Sequence, residues 1–360
     1  MPSEIQVKRR GGIAVAVVVL LSVASLLIWR YNSHRTARTF TFPIGVSATN
    51  ITWIDDDSFV SLTHSISGRS IWNLNNIQTG KSKPIADLAG QPQNSLLWRM
   101  AYSKCVISPD GKFIAGHLSG IRPWVSSTAA LLTPSPPGKK TAPPKYWSQK
   151  AFCEHVRWTI DDQSWIVVSR KNDVEVYNRS GRQISRFALP EPLSNFAILL
   201  GETADGKFLL QPLSSWGRPG STDTLTSIDP HTGKSASVVL ERPAGVRSNM
   251  GVLIELSPQG TKLAWLNGVT PRDRTPRWLH KILLITGIDT TPKSQCVIEV
   301  GGLNGQNTHV VAAIDETNTS VGDFGWLPGG NAIYINSFTP AGANIKSSAI
   351  TERIVVIPAD

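Results

Sequence analysis

Short runs of alternating apolar and polar residues recur along most of the chain, and turn-forming residues separate them. In SPDGKFIAG, residues 108–116, a Pro-Asp-Gly turn leads directly into an apolar run. β-branched and aromatic residues on both sides of such a turn predict a β-hairpin. No long segment after residue 30 has the 3.6-residue period of a helix, so the pattern predicts an all-β fold.

The hairpin pattern occurs six times. Its turn centres lie near Asp57, Gly111, Asp162, Gly206, Gly260 and Gly330, which are separated by 54, 51, 44, 54 and 70 residues. This spacing is close to the period of about 40–50 residues found in propeller blades. A second tight turn follows most copies, as in IDPHTGK, residues 228–234. Each repeat is therefore predicted to form four antiparallel strands, a to d, with the two turns joining a to b and c to d.

The combination of SPDGKFIA with a following IDPHTGK resembles the WD40-like propeller repeats of the TolB type. The resemblance covers roughly residues 45–357 and is strongest in the second, fourth and fifth copies. It implies a six-bladed β-propeller and implies little about the ligand, because this fold serves unrelated functions. The long interval before the last copy contains HVVAAI, residues 309–314, so an extra strand or a seventh blade is the alternative.

The sixth copy has no fourth strand after its strand c, which is predicted near residues 351–357. RTFTFPI, residues 38–44, alternates Phe40 and Phe42 with threonines, as a half-buried strand does. We predict that this segment completes the sixth blade and removes the free edge of an open ring. The propeller domain would then extend over residues 38–360.

The N-terminal region predicts a membrane anchor. Residues 12–29 contain no charged side chain, and a helix of this length is about 27 Å long, enough to cross a bilayer. We predict a short basic cytoplasmic tail at 1–11, a single transmembrane helix at 12–29 and a linker at 30–37. A signal peptide cleaved after Ala24 is the alternative, but the apolar run continues beyond that position, which favours an uncleaved anchor.

The anchor also predicts where the propeller lies. Basic residues at 8–10 favour a cytoplasmic N-terminus, although Arg30, Arg35 and Arg38 follow the span. The protein is therefore expected to be a single-pass membrane protein with an extracytoplasmic propeller. The short linker would hold the face that carries the a–b and c–d turns close to the bilayer.

A Pro-rich excursion at 133–145 replaces the c–d turn of the second repeat and is predicted on the membrane-proximal face. It carries three lysines, Lys139, Lys140 and Lys145. They could contact anionic headgroups, and a solvated loop is the alternative. The whole chain is basic, with 36 Lys+Arg against 26 Asp+Glu and a net charge of +10. Such a charge suggests an anionic neighbour or serves solubility alone.

The opposite face, formed by the b–c and d–a loops, collects arginine and tryptophan. These residue types dominate binding hot spots, and propellers usually bind a ligand on one face near the channel. The predicted ligand or partner face consists of Trp98, Arg99, Arg122, Trp124, Trp216, Arg218, Arg272, Arg274, Arg277 and Trp278. The alternative is that the tryptophans pack between blades and the arginines are solvated.

No motif for catalysis, cofactor binding or metal binding is present. GETADGKF, residues 201–208, resembles a phosphate loop but has Phe208 where a Ser or Thr is needed. The seven histidines are scattered, and no Gly-x-Ser-x-Gly elbow occurs. Cys105, Cys153 and Cys296 form no Cys-x-x-Cys pair, and a Cys105–Cys153 disulfide is the alternative to free thiols.

Three functions are compatible with these patterns. The first is a membrane-tethered, non-enzymatic module that binds a peptide, protein or envelope glycan on the Arg/Trp face. The second is a lyase or hydrolase acting on an acidic glycan, which is what the resemblance to some TolB-like propellers implies; histidines converging at the channel would favour it. The third is a structural subunit of an envelope complex. A nucleic-acid partner is not predicted, because no recognised nucleic-acid-binding module is present.

Overall fold

The computed structural model describes residues 37–65, 67–91, 95–118, 123–132, 145–146, 153–169, 173–189, 197–212, 224–240, 253–269, 295–315, 319–340 and 350–359. The predicted tail, the predicted anchor at 12–29 and all but the last residue of the linker lie outside these ranges. No helix inside them is long and apolar enough to cross a membrane.

The described strands form six antiparallel sheets of four strands, the blades of a six-bladed β-propeller. Strand β1 (Arg38–Thr41) comes first. Blade 1 consists of β2 (Ser47–Trp53), β3 (Ser58–His64), β4 (Ser70–Asn76) and β5 (Lys81–Asp87). Blade 2 consists of β6 (Ser103–Ile107), β7 (Phe113–Leu118), β8 (Trp124–Ser127) and β9 (Lys145–Tyr146). Blade 3 consists of β10 (Cys153–Trp158), β11 (Ser164–Ser169), β12 (Asp173–Asn178) and β13 (Gln183–Ala188).

The second half of the chain continues the series. Blade 4 consists of β14 (Ala197–Glu202), β15 (Phe208–Pro212), β16 (Thr224–Ile228) and β17 (Ser235–Val239). Blade 5 consists of β18 (Leu253–Leu256), β19 (Lys262–Val269), β20 (Gln295–Gly302) and β21 (His309–Asp315). Blade 6 contains β22 (Ser320–Trp326), β23 (Ala332–Pro340) and β24 (Ile350–Pro358). Because HVVAAI is the outer strand of blade 5, the alternative of a seventh blade is wrong.

Short helices lie in the connections between strands. A 3₁₀ turn (Leu88–Gly90) and helix α1 (Leu96–Ala101) connect blade 1 to blade 2, and helix α2 (Ala129–Leu132) follows β8. Helix α1 begins at Ser95, whose hydroxyl accepts a hydrogen bond from the Trp98 N–H at 3.2 Å.

Strand β1 closes the ring by completing blade 6. It pairs antiparallel with β24, with Phe40 opposite Ile354, and the Phe42 N–H donates to the Glu352 carbonyl at 3.0 Å. Both phenylalanines are buried, whereas the threonines beside them are exposed. The predicted fourth strand of the sixth blade is therefore confirmed.

Side chains also tie the two ends of the ring together. Phe40 packs edge-on against Phe59 of blade 1, with ring centroids 5.3 Å apart. The buried Glu352 carboxylate accepts the Ala48 N–H at 2.6 Å, across the seam to blade 1. Arg38 forms an ion pair with Asp57 in the a–b turn of blade 1. Strand β1 thus begins on the face that carries the a–b turns, as the sequence predicts.

Five of the six a–b turns contain a left-handed residue, and the turn of blade 1 does not. Gly111, Gly206, Gly260 and Gly330 have φ between 66° and 77°, a conformation that costs glycine little. At Gly260 a Cβ would lie 2.5 Å from the Glu202 carbonyl of blade 4. In blade 3, Asp162 takes the same conformation, with φ of 63°, which explains why the third copy deviates from the motif.

Apolar clusters fill the spaces between neighbouring blades, for example Ile166 and Val176 of blade 3 with Leu199 and Phe208 of blade 4. A tryptophan before the a–b turn of blade 3 adds a hydrogen bond to blade 2. Trp158 Nε1 donates to the Val106 carbonyl at 3.1 Å. These contacts fix the inner strands relative to one another and thereby define the channel between them.

The cysteines do not form the disulfide that was the alternative. Cys105 is a free thiol in the inner strand of blade 2, and burial raises its pKa. Cys296 is buried in β20. The side chain of Cys153 lies outside the described residues.

Candidate functional site

The inner strands β2, β6, β10, β14, β18 and β22 surround a central channel that contains a cavity of about 490 Å³. Every blade contributes lining residues from the last positions before its a–b turn. Most of these residues are apolar or small. Five charged side chains and one tyrosine interrupt this lining. One of them, Glu202, accepts the Ile160 N–H at 2.7 Å. The other five residues form what we call the channel cluster: Lys104, Arg157, Glu255, Asp323 and Tyr334.

Arg157 connects three blades across the channel wall. Its Nε donates to the Leu200 carbonyl of blade 4 at 3.1 Å, and its Nη2 donates to Glu255 Oε2 of blade 5 at 3.3 Å. Trp326 Nε1 of blade 6 donates to the Glu255 carbonyl at 3.1 Å. The positions of the Arg157 and Glu255 side chains are therefore set by three neighbouring blades.

Asp323 is held by a tyrosine from the second strand of its own blade. The Tyr334 hydroxyl donates to Asp323 Oδ2 at 3.1 Å. Gly325 lies opposite Tyr334 in the ladder, and a Cβ there would lie 2.9 Å from the tyrosine ring. The glycine therefore leaves the space through which the ring reaches Asp323.

Partial desolvation in the channel raises the pKa of both channel carboxyls, although the Asp323 side chain remains exposed to the channel. Burial is the main cause for Glu255, the Asp323 charge also raises its pKa, and Arg157 partly opposes the shift. For Asp323, burial again raises the pKa, while the Tyr334 hydrogen bond and the Lys104 charge lower it. Burial and the nearby Asp323 raise the pKa of Tyr334 well above its ordinary value. Perturbed carboxyls in a cleft are typical of functional sites.

Lys104 supplies a cation that the fold does not use. It lies on β6 with an exposed side chain, and its charge lowers the pKa of both Glu255 and Asp323. In the part of the chain that the structure describes, the ammonium group of Lys104 forms no hydrogen bond and no ion pair. A ligand in the channel could therefore use this ammonium group without breaking an existing contact.

The channel offers no metal or histidine chemistry among the described side chains. No three His, Cys, Asp or Glu residues there are close enough to hold a metal ion. His64 lies on β3 and contacts Ser70 at 2.8 Å, while His231 and His309 are exposed on a turn and on an outer strand. None of these three lines the channel.

Two residues of the predicted ligand face lie together on helix α1. Trp98 and Arg99 are half-buried there, and burial lowers the pKa of Arg99. The helix is fixed by Leu97 and Met100, which are buried against blades 1 and 2. It lies in the d–a connection, on the face opposite the a–b turns.

Trp124 was predicted on the ligand face, and this prediction is wrong. Its side chain is fully buried at the start of β8, where a Cβ on Gly116 would lie 2.5 Å from its ring. The packing alternative therefore applies to this tryptophan. The remaining members of the predicted face lie outside the described residues: Arg122, Trp216, Arg218, Arg272, Arg274, Arg277 and Trp278.

The predicted basic loop is also largely outside the described ranges. Lys139 and Lys140 lie outside the described residues, and Lys145 lies on β9, where only the backbone is described.

The sequence patterns did not lead to a prediction of the channel cluster. The available signal was a charged residue immediately before a hairpin turn, as in HVRWTI around Arg157 and LIELSP around Glu255.

Comparison with known proteins finds similar solved structures. No family model matches the chain, and no curated protein matches it. The chain is similar to the crystal structure of TolB from Acinetobacter baumannii, with 15% identity, a TM-score of 0.42 and coverage of 73% of this chain and 53% of that one. It therefore spans about half the length of that neighbour. The six-bladed architecture itself rests on the strand pairing.

Proposed function

We propose that the protein is a membrane-tethered, non-enzymatic binding module whose partner, a protein, peptide or envelope glycan, inserts a polar group into the central channel. The observation that carries this proposal is Lys104. Its ammonium group is exposed, forms no hydrogen bond or ion pair with a described residue, and lies near the carboxyls of Glu255 and Asp323 in the channel cavity.

The chemistry of the channel cluster favours binding of a polar group. Arg157 is already engaged with two carbonyls and with Glu255, so its role is to hold Glu255 in place. Lys104 is left to bind an anionic or carbonyl group, and Asp323 is left to accept a hydrogen bond. Because these side chains project from different blades of one closed ring, little ordering entropy is lost when a ligand binds.

The surrounding loops and the N-terminus complete the proposal. The face opposite the a–b turns, which includes Trp98 and Arg99, would contact the rest of the partner. The helix at 12–29 would anchor the protein with its propeller outside the cytoplasm. Under this proposal the a–b turn face is directed towards the membrane and the partner approaches from the other side.

Quantitative co-purification tests the channel. The full chain is extracted in detergent as wild type, as Lys104→Met and as Lys112→Met, and captured partners are measured by mass spectrometry. Lys112 is the matched control, because it is an exposed lysine in an a–b turn. We expect Lys104→Met to lower capture at least about tenfold, the effect of one charge-assisted hydrogen bond, and Lys112→Met to leave it unchanged. Equal capture by all three forms would contradict the proposal.

A second candidate function is a lyase or hydrolase acting on an acidic glycan. The observation that favours it is the pair of channel carboxyls with raised pKa values, which suits general acid–base chemistry. Lys104 would then bind the sugar carboxylate. The test is incubation of the full chain with polygalacturonate and with hyaluronan, followed by detection of new reducing ends. Product formation that Asp323→Asn abolishes would establish the enzyme.

A structural subunit of an envelope complex is the third candidate. It predicts stoichiometric partners in the same detergent extracts, and their retention by Lys104→Met would favour it over the channel proposal.

A further inference from the structure

A groove separate from the channel lies on the face opposite the a–b turns. It has a volume of about 670 Å³, within the range of about 300–1,000 Å³ that is common for small-molecule sites. Its walls are the b–c turn of blade 1, the 3₁₀ turn that follows β5 and helix α1. The lining residues are Ser67, Gly68, Arg69, Ser70, Asp87, Leu88, Ala89, Gln91, Trp98 and Tyr102.

One wall of the groove is aromatic. The Trp98 and Tyr102 rings are 4.8 Å apart, with an angle of 47° between them. Tyr102 is 57% exposed and is the single aromatic residue among the strongly exposed large apolar side chains of the described ranges. Because Leu97 and Met100 anchor the helix in the core, the two rings are held in place rather than free to collapse onto the surface.

The opposite wall is polar and carries hydrogen-bond donors without partners. Arg69 Nε donates to Asp87 Oδ2 at 2.8 Å, and Asp87 Oδ1 accepts the Ala89 N–H at 3.0 Å. Asp87 thus positions the guanidinium, whose side chain is 66% exposed. The two terminal nitrogens of Arg69 make no hydrogen bond to any described residue. Their N–H groups, which lie in the plane of the guanidinium, are therefore available to a ligand.

The charges of the groove cancel. Arg69 and Asp87 are the only charged residues in the described lining, and they are paired. A polyanion would meet no net positive charge here, and a charged peptide would meet no complementary partner. The ligand that this wall chemistry fits is neutral, has a flat apolar face for the aromatic rings, and has hydroxyls at its edge for the guanidinium, Ser67, Ser70 and Gln91.

We propose that this groove binds a neutral carbohydrate, with the C–H face of one pyranose ring against Trp98 and Tyr102 and its hydroxyls hydrogen-bonded to Arg69. Aromatic side chains supply such contact area at low cost in conformational entropy. The site is independent of the channel proposed above. Binding of sugar here therefore does not require Lys104.

Titration with defined sugars tests the groove. The full chain is purified in a detergent without a sugar headgroup, because alkyl glycosides would compete, and tri-N-acetylchitotriose, maltotriose, cellotriose and mannotriose are added separately. Binding is followed by saturation-transfer difference NMR. We expect at least one trisaccharide to bind, and Tyr102→Ala and Arg69→Ala each to weaken its affinity about tenfold. Both side chains are largely exposed, so both variants should keep the wild-type Tm.

Two control variants separate this site from other effects. Arg186→Ala removes an arginine that pairs with Asp173 in blade 3 and is 52% exposed, and it should leave binding unchanged. Lys104→Met should also leave it unchanged, even if it abolishes partner capture. The proposal is overturned if none of the four trisaccharides binds, if binding survives both groove substitutions, or if the same substitutions abolish binding of a peptide instead.

Discussion

Strand β1 makes a quantitative prediction about how the ring is closed. Phe40 is 4% exposed and faces Ile354, which is fully buried, in the β1–β24 ladder. Truncation of a buried phenylalanine to alanine costs about 3–5 kcal/mol, and truncation of a buried isoleucine costs about 2–5 kcal/mol. Against a typical total stability of about 5–15 kcal/mol, each single change should be plainly measurable.

The pairing itself is tested by a double-mutant cycle. Because the two side chains share one cavity, Phe40→Ala and Ile354→Ala together should cost less than the sum of the single changes, with a coupling of about 0.5–3 kcal/mol. The assay is urea unfolding of the full chain in detergent, followed by tryptophan fluorescence. Thr41→Ala, on the exposed side of the same strand, is the matched control and should change stability by less than about 0.5 kcal/mol.

Two results would refute this reasoning. If Phe40→Ala costs no more than Thr41→Ala, β1 contributes no buried contact and the ring is not closed by this strand. If both single changes are costly but strictly additive, the two residues are buried in different places, and the register of β1 against β24 is wrong.

Three further predictions concern the channel and the thiol of Cys105. Gly325→Ala should displace Tyr334 from Asp323 and weaken partner capture, whereas Gly90→Ala, with no atom within 4 Å of its added Cβ, should not; co-purification measures both. The pKa of Asp323 is raised above its ordinary value of 3.8, so the folded state holds more protons than the unfolded state in the interval above 3.8. The contribution of this group to the free energy of unfolding should therefore fall as pH rises through that interval. The Tm of the Asp323→Asn variant should fall less than that of wild type over the same pH interval. A variant whose Tm follows the same pH profile as wild type would contradict this prediction. Cys105 is half-buried in the channel wall and desolvation raises its pKa, so its thiol should react with a maleimide much more slowly in the folded than in the unfolded protein; equal labelling rates at this position would contradict the prediction.

The architecture could be predicted from the sequence because each blade is a local structure. Five of the six a–b turns contain a left-handed residue, and glycine at four of these positions makes the repeat visible. The closing strand could be predicted as well, because Phe40 and Phe42 alternate with threonines and the sixth copy lacks a strand. These features depend on neighbours in the chain or on the simple requirement that no sheet edge be left open.

The channel cluster could not be predicted in the same way. Which side chains of an inner strand face the channel depends on β-bulges, such as the one between Val321 and Asp323, and a bulge shifts the alternation without a clear sequence signal. Tyr334 reaches Asp323 only because Gly325 lies opposite it in the ladder. Trp124 illustrates the converse error, since it was assigned to the loops of the ligand face although the residue begins a buried strand.

Site-specific photo-crosslinking shows directly whether the channel holds part of a partner. A photoreactive amino acid is placed at residue 104 and, as a control, at residue 112 of the full chain in living cells. We expect a discrete covalent adduct from position 104, which co-expression of the wild-type full chain in excess reduces, and none from position 112. Irradiation that yields no adduct at position 104, or the same adducts at both positions, would contradict this expectation.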